Sequence, residues 1–256
     1  MRKIVLFFGF LCAACGGENS EVSPARIGGS LSEDAEFVPV QGRTGGTLRY
    51  ALAGEPSTFN FLAVRDVRTR LVAYLTTATL LEFDSGLQEV VSGICRSYEV
   101  SEDGRTVSLE LRRGILFSDG VPFTADDVLF TFQSIYDQSS SNVLKETLLV
   151  DDEPLQVVKI NEFGVEISVP APHAAAEYIL STVPILPRHR FQKDRAVEEH
   201  WTLDTPPEEM CGLGPFVVAV HEAGKRTVLR YNPHYWRVDS QGVQLPYLDE
   251  LVLEYI

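Results

Sequence analysis

Lysine and arginine are scarce in this chain: 22 stand against 36 aspartates and glutamates, for a net charge of −14 and a pI near 4.8. Binding a phosphate backbone requires a basic face, so this balance argues against nucleic acid as a partner and reads as a solvated acidic surface. Long apolar runs are missing too. Nothing approaches the roughly 20 apolar residues of a spanning helix, which excludes a polytopic membrane protein. Histidine is sparse, and His173, His189, His200, His221 and His234 never fall three or four apart, so no helical turn carries a metal-binding pair. His173 and Glu177 do fall four apart, a spacing that reads as a surface contact. No G-x-S-x-G elbow, Walker-type phosphate loop or H-E-x-x-H occurs. Gly212-Leu-Gly214-Pro215 lacks the spacing of a dinucleotide loop. The acidic pairs Asp126-Asp127, Asp151-Asp152 and Glu208-Glu209 are adjacent, so their side chains point apart and serve as caps and solvated turns. The residues therefore argue against an enzyme and suggest no metal and no cofactor.

What is present is ordinary for a globular protein: 45% apolar and 23% charged residues over a length of 256, enough to bury a sizeable core. Arg2 and Lys3 precede the apolar run Ile4 to Ala14. As a helix those residues span roughly 16 Å against roughly 30 Å of hydrocarbon, which suits a secretory signal rather than a membrane span. The run ends in Leu11-Cys12-Ala13-Ala14-Cys15-Gly16-Gly17, which resembles a bacterial lipobox with Cys15 as the lipidated residue. Cys12, where that motif usually has leucine, is the departure, and a plain signal peptide with two incidental cysteines is the alternative. Removal of residues 1–14 takes away two bases and moves the charge from −14 to −16. Cys95 and Cys211 then remain besides Cys15, a possible disulfide in an oxidising compartment.

Residues 15–45 read as a flexible acidic tether, rich in Gly, Ser, Pro and acids, with a reach of roughly 30 Å. Folded sequence is expected from residue 46 to 256. Thr47 to Leu52 reads as a strand, and Val67 to Leu81 has the apolar spacing of a helix. Alternation in Tyr98–Val100 and Val107–Leu111, with Asp103-Gly104 between, predicts a hairpin. Thr124-Ala-Asp-Asp127 predicts a helix opened by a capping box. Strands are expected near 155–160, 165–169, 216–220, 227–231 and 251–256, and a helix near 173–180. Strands and helices mix without a regular βαβ rhythm, which points to an α/β class of mixed α+β type.

Several segments taken together resemble the family-five extracellular solute-binding proteins, receptors for peptides, nickel and similar solutes that feed ATP-driven importers. They are Gly45-Gly-Thr-Leu-Arg-Tyr-Ala-Leu52 with Glu55-Pro-Ser-Thr-Phe-Asn60, then Val91-Ser-Gly93 through Glu102-Asp-Gly104, Leu109 to Phe117, Ser118-Asp-Gly120 and Pro122 to Val128. Later come Gly212-Leu-Gly-Pro-Phe216, Tyr231-Asn-Pro-His-Tyr-Trp236 and Pro246-Tyr-Leu-Asp249. Each piece is weak alone; their order over Gly45 to Ile256 carries the resemblance. Most of these residues read as structural: turns at Gly104 and Gly120, a cap at Asp127, core packing at Trp236. Cys95, Tyr98 and Leu213 depart from the family pattern.

The resemblance implies the first lobe of a type II periplasmic-binding-protein fold with a small inserted subdomain at about residues 84–180, the second lobe lying beyond this sequence. It further implies peptide or a similar small solute as ligand, permease subunits as partners, and a membrane association through the lipid anchor only. The ligand-cleft candidates lie on the loop after the first strand: Glu55, Phe59, Asn60, Ala63, Arg65 and Asp66. Arg65 suits a ligand carboxylate, with a plain surface arginine as the alternative. A non-transporting binding or interaction module derived from such a receptor is the second functional reading.

Overall fold

The computed structural model describes residues 36–38, 42–137, 142–172, 176–191 and 196–256. The stretch read as a signal segment, Cys15, most of the stretch read as a tether, and His173 lie outside these residues. The chain opens with β1 (Glu36–Val38), β2 (Thr47–Leu52), α1 (Val67–Thr76), β3 (Leu81–Asp84), β4 (Glu89–Ser92), β5 (Cys95–Val100) and β6 (Thr106–Leu111). It continues through α2 (Ala125–Tyr136), α3 (Leu144–Thr147), β7 (Leu149–Val150), β8 (Glu153–Pro154), β9 (Gln156–Asn161), β10 (Gly164–Ser168) and α4 (Ala176–Leu180). It closes with β11 (Phe216–Glu222), β12 (Arg226–Tyr231), β13 (Arg237–Asp239) and β14 (Glu250–Tyr255).

Two four-stranded sheets dominate. One runs β5–β6–β10–β9 and is wholly antiparallel. Its β5–β6 hairpin turns at Asp103-Gly104, where Gly104 takes φ +67°, a conformation that glycine adopts freely. Alternation puts Val107, Leu109 and Leu111 of β6, with Val165 and Ile167 of β10, into the core. α2 packs on β9 and β10 with Val128, Phe132 and Ile135 buried. Its start is the expected capping box: the Thr124 hydroxyl accepts from the Asp126 N–H, and the Asp127 carboxylate accepts from the Thr124 N–H at 3.0 Å. This sheet falls within the span expected for an inserted subdomain.

The other sheet runs β11–β12–β14–β2. β14 pairs antiparallel with β12 and parallel with β2, in register from Glu250 opposite Thr47 to Tyr255 opposite Leu52. Leu229, Leu251 and Leu253 are buried on one face, and the cross-strand pair Val228 and Val252 is buried on the other. The expected end strands are all present, and one buried cluster joins the cores of both sheets.

Two boundaries differ from the sequence reading. The helix expected over residues 67–81 ends at Thr76. The Thr76 carbonyl accepts from the Gly214 N–H at 3.1 Å, and the hydroxyls of Thr76 and Thr77 bond back to Val72 and Ala73 carbonyls. Ala78 and Leu81, which fit the helical period, instead lie in the extended chain before β3 and at its first residue. The second difference is β1, which lies inside the stretch read as tether yet pairs parallel with Arg237–Asp239.

Of the residues that depart from the family pattern, two sit in the core and Tyr98 packs partly buried against it. Cys95 and Leu213 are fully buried, and the Tyr98 hydroxyl donates to the Val90 carbonyl at 3.0 Å. Trp236 is buried with the guanidinium groups of Arg112 and Arg237 about its ring, at 5.1 and 4.6 Å from the centroid.

Candidate functional site

The loop from Ala53 to Asp66 joins β2 to α1 and holds all six cleft candidates. Its middle is stitched to the chain at 197–201. The Phe59 N–H and the Thr58 hydroxyl both donate to the Trp201 carbonyl, at 2.9 and 3.1 Å. Asn60 is fully buried; its amide donates to the Val197 and His200 carbonyls, and its oxygen accepts from the Leu62 N–H. Every polar atom of that side chain is therefore engaged in holding the loop. Phe59 is buried edge-on against His221, with centroids 5.1 Å apart.

Asp66 caps α1. Its carboxylate accepts from the Arg68 and Thr69 N–H groups and from the Ser57 and Thr69 hydroxyls. Burial alone raises a carboxyl's pKa, but these hydrogen bonds outweigh it and hold Asp66 well below the usual carboxylate range. Glu55 reaches across to the β11–β12 turn, accepting from the Gly224 N–H at 2.9 Å, with His221 Nε2 3.2 Å away. Ala63 is half-buried in a single 3-10 turn. Arg65 is exposed and has no hydrogen-bond or ion-pair partner among the described residues. Of the six, Arg65 alone presents a charged group to solvent with no local bond; Asn60 and Asp66 serve the loop itself.

The Cys95–Cys211 bridge considered from the sequence is not formed, because both thiols are free. Cys95 begins β5 opposite Leu111, and burial pushes its thiol up to about 11. Cys211 lies in the strap before β11 and faces His189 and Asp119 instead.

That neighbourhood is a second polar cluster, invisible in the spacing of the sequence. Asp119 sits in the turn after Phe117, His189 and Arg190 in the 3-10 turn Arg188–Arg190, and Cys211 in the strap. Asp119 Oδ2 lies 2.7 Å from His189 Nε2 and accepts from Arg190 Nε at 2.7 Å; Cys211 Sγ lies 3.8 Å from the same His189 nitrogen. Burial raises the Asp119 pKa, but the bonds from His189 and Arg190 prevail and bring it down to about 2. For Cys211, burial and the Asp119 charge push the thiol well above its ordinary value. An open cavity of about 340 Å³ adjoins the cluster, lined by Asp119, Glu208, Met210 and Arg230 among others.

Comparison with known proteins places this architecture. Residues 89–256 match the family described as bacterial extracellular solute-binding proteins, family 5. A probable ABC transporter-binding protein of Deinococcus radiodurans is 27% identical over the whole of this chain, which covers 43% of that protein. A periplasmic alpha-galactoside-binding protein of Rhizobium meliloti is 30% identical over 81% of this chain and 32% of its own length. The oligopeptide-binding protein AppA from Bacillus subtilis, solved with a nonapeptide, superposes with a TM-score of 0.72 at 24% identity, covering 84% of this chain and 41% of AppA. The chain thus spans under half the length of these relatives. Since the family match takes in the whole antiparallel sheet, α2, the Asp119 turn and strands β11 to β14, the chain belongs to the family 5 bacterial extracellular solute-binding proteins, a family of receptors rather than enzymes.

Proposed function

We propose that this chain supplies the first part of a receptor that captures a small solute outside the cytoplasmic membrane and delivers it to the permease of an ATP-driven importer. The family match over residues 89–256 carries this reading. The ligand class is a peptide or an oligosaccharide, in keeping with the relative named for alpha-galactosides and the fold shared with a nonapeptide complex. Such receptors grip a solute between two lobes that close on it. Arg65 is the ligand contact we assign on this part, because its guanidinium is exposed, unpaired among the described residues and suited to a carboxylate. Cys15 is the proposed lipid anchor, where each buried methylene contributes about 0.8 kcal/mol of membrane affinity.

Uptake of labelled di- to pentapeptides and of labelled alpha-galactosides, compared between a strain lacking the gene and its parent, tests the assignment. One of the two uptakes should fall in the deletion strain and return with the intact gene. Unchanged uptake of both, alongside measurable binding of either, would favour the non-transporting module instead. Labelling with an alkyne fatty acid should mark the intact protein but not Cys15→Ser; equal labelling of both would remove the anchor from the proposal.

A further inference from the structure

The convergence of Asp119, His189 and Cys211 has no part in solute capture as proposed above, and its chemistry is specific. One ligand atom from each lies within 4.8 Å of the others. Both the carboxylate and the thiol approach the same ring nitrogen, His189 Nε2. A nucleophilic relay needs them on opposite nitrogens, so that the acid orients the base from behind. Convergence on one point is instead what a shared central ion requires.

We propose that Asp119, His189 and Cys211 form a site for a borderline-soft divalent cation, with Zn²⁺ as the ion that the donor set fits best. A sulfur, an imidazole nitrogen and a carboxylate oxygen together select zinc-like ions over Ca²⁺ or Mg²⁺, which prefer all-oxygen cages. With bonds of about 2.3 Å to sulfur and about 2.0–2.1 Å to nitrogen, tetrahedral geometry sets the S···N separation near 3.6 Å. The observed 3.8 Å is close to that. The Asp119–His189 contact, at 2.7 Å, must open by roughly half an ångström for the ion to enter between them.

The site is built on braced segments. The Ser118 N–H donates to the Gly212 carbonyl at 2.9 Å and the Gly212 N–H to the Ser118 hydroxyl at 3.2 Å, tying the Asp119 turn to the Cys211 strap. Asp127, in the capping box of α2, accepts from the Arg188 N–H at 3.0 Å and so fixes the turn that carries His189. The His189 ring stands edge-on to Phe117, with centroids 5.4 Å apart. The adjoining cavity reaches the site at Asp119 and gives an ion a way in from solvent on that side. Arg190 opposes the ion's charge, and the Asp119 carboxylate with the Cys211 thiolate offsets it, leaving the bound cluster at a formal +1. Bound there, the ion would link three segments that come from distant parts of the chain.

The test uses the full chain with Cys12 and Cys15 changed to serine, because their C-x-x-C spacing is itself a thiolate pair. Titration with Co²⁺ alone should saturate at one ion per chain and raise a near-ultraviolet sulfur-to-cobalt charge-transfer band that Zn²⁺ abolishes. Cys211→Ser should lose that band, His189→Gln should weaken binding at least tenfold, and Cys95→Ala should retain both band and affinity. X-ray absorption of the zinc-loaded parent, which needs no variant to fold, should show one sulfur near 2.3 Å with two or more lighter ligands near 2.0–2.1 Å. No band in the folded parent, a band that survives Cys211→Ser, or a zinc shell without sulfur would each overturn the proposal.

Discussion

The two four-stranded sheets differ in how far the chain travels to make them. The β5–β6–β10–β9 sheet is built from two local hairpins, β5–β6 and β9–β10, joined by a β6–β10 pairing whose partners, such as Glu110 and Gly164, lie about 50–60 residues apart. The β11–β12–β14–β2 sheet depends on a parallel pairing between strands about 200 residues apart. Local pairings close small loops, whereas the β2–β14 pairing must recover a larger entropy of closure. The difference predicts that the second sheet leans more heavily on whatever joins it to the rest of the molecule.

The strap at 211–215 is that joint, and breaking it should have the largest effect. A Cβ on Gly212 would stand 2.0 Å from the Thr76 carbonyl oxygen, and one on Gly214 2.4 Å from the Thr76 carbonyl carbon. Both obstacles are backbone, which cannot swing aside as a side chain can. Gly212→Ala should therefore destabilise the fold by about 3 kcal/mol, at the upper end of overpacking costs, as read by urea denaturation. A loss below about 1 kcal/mol would mean that α1 and the strap slide past each other freely.

The next effect sharpens the contrast between the sheets. Leu253 of β14 and Ile167 of β10 are both fully buried. Truncation to alanine should cost about 2–5 kcal/mol in each case. Hydrogen exchange should separate them: Leu253→Ala should speed exchange in β2, β11, β12 and β14 well before β6 and β10 respond. Equal acceleration throughout would show that the two sheets open as one unit.

The same contrast explains what the sequence could tell. The β5–β6 hairpin and the α2 capping box are written in a few adjacent residues, Asp103-Gly104 and Thr124 to Asp127, and both stand where the sequence places them. The pairing of β2 with β14 has no local signature, although each strand separately is legible. α1 ends early because a partner 138 positions away takes the Thr76 carbonyl, which no periodicity records. Asn60 reads as a ligand-facing polar group on a loop, yet it is buried as the cap of the Phe61–Ala63 turn, a role that an asparagine before a short apolar run does signal. Asp119, His189 and Cys211 stand 70 and 22 positions apart along the chain, so only the fold assembles them.

A smaller effect is expected at Asp66, and its pH dependence has a definite sign. The folded-state pKa is depressed below the unfolded value of about 3.9. Its contribution is therefore fully present above the unfolded value and is lost as pH falls toward the folded one. Asp66→Ala should cost about 1 kcal/mol at neutral pH through the lost cap, and the gap between variant and parent should narrow below pH 4. A gap independent of pH down to pH 3 would show that the Asp66 charge contributes nothing to the cap.

The smallest effect lies on the outer face of the long-range pairing itself. Arg49 of β2 and Glu254 of β14 form an ion pair at 2.6 Å across the parallel join, with side chains 62% and 48% exposed. Its position invites the idea that charge holds the distant strands together. Water screens a pair so exposed, and ordering two long side chains offsets much of the attraction, so such pairs contribute about 0–1 kcal/mol. The neighbouring residue on β14, Leu253, is fully buried and makes the opposite case. Arg49→Gln should therefore lower stability by less than about 1 kcal/mol, and the difference should shrink further at 1 M salt, where screening acts within about 3 Å. A salt-insensitive loss as large as that of Leu253→Ala would mean that the join between the chain's distant strands is electrostatic, and that the apolar face merely follows it.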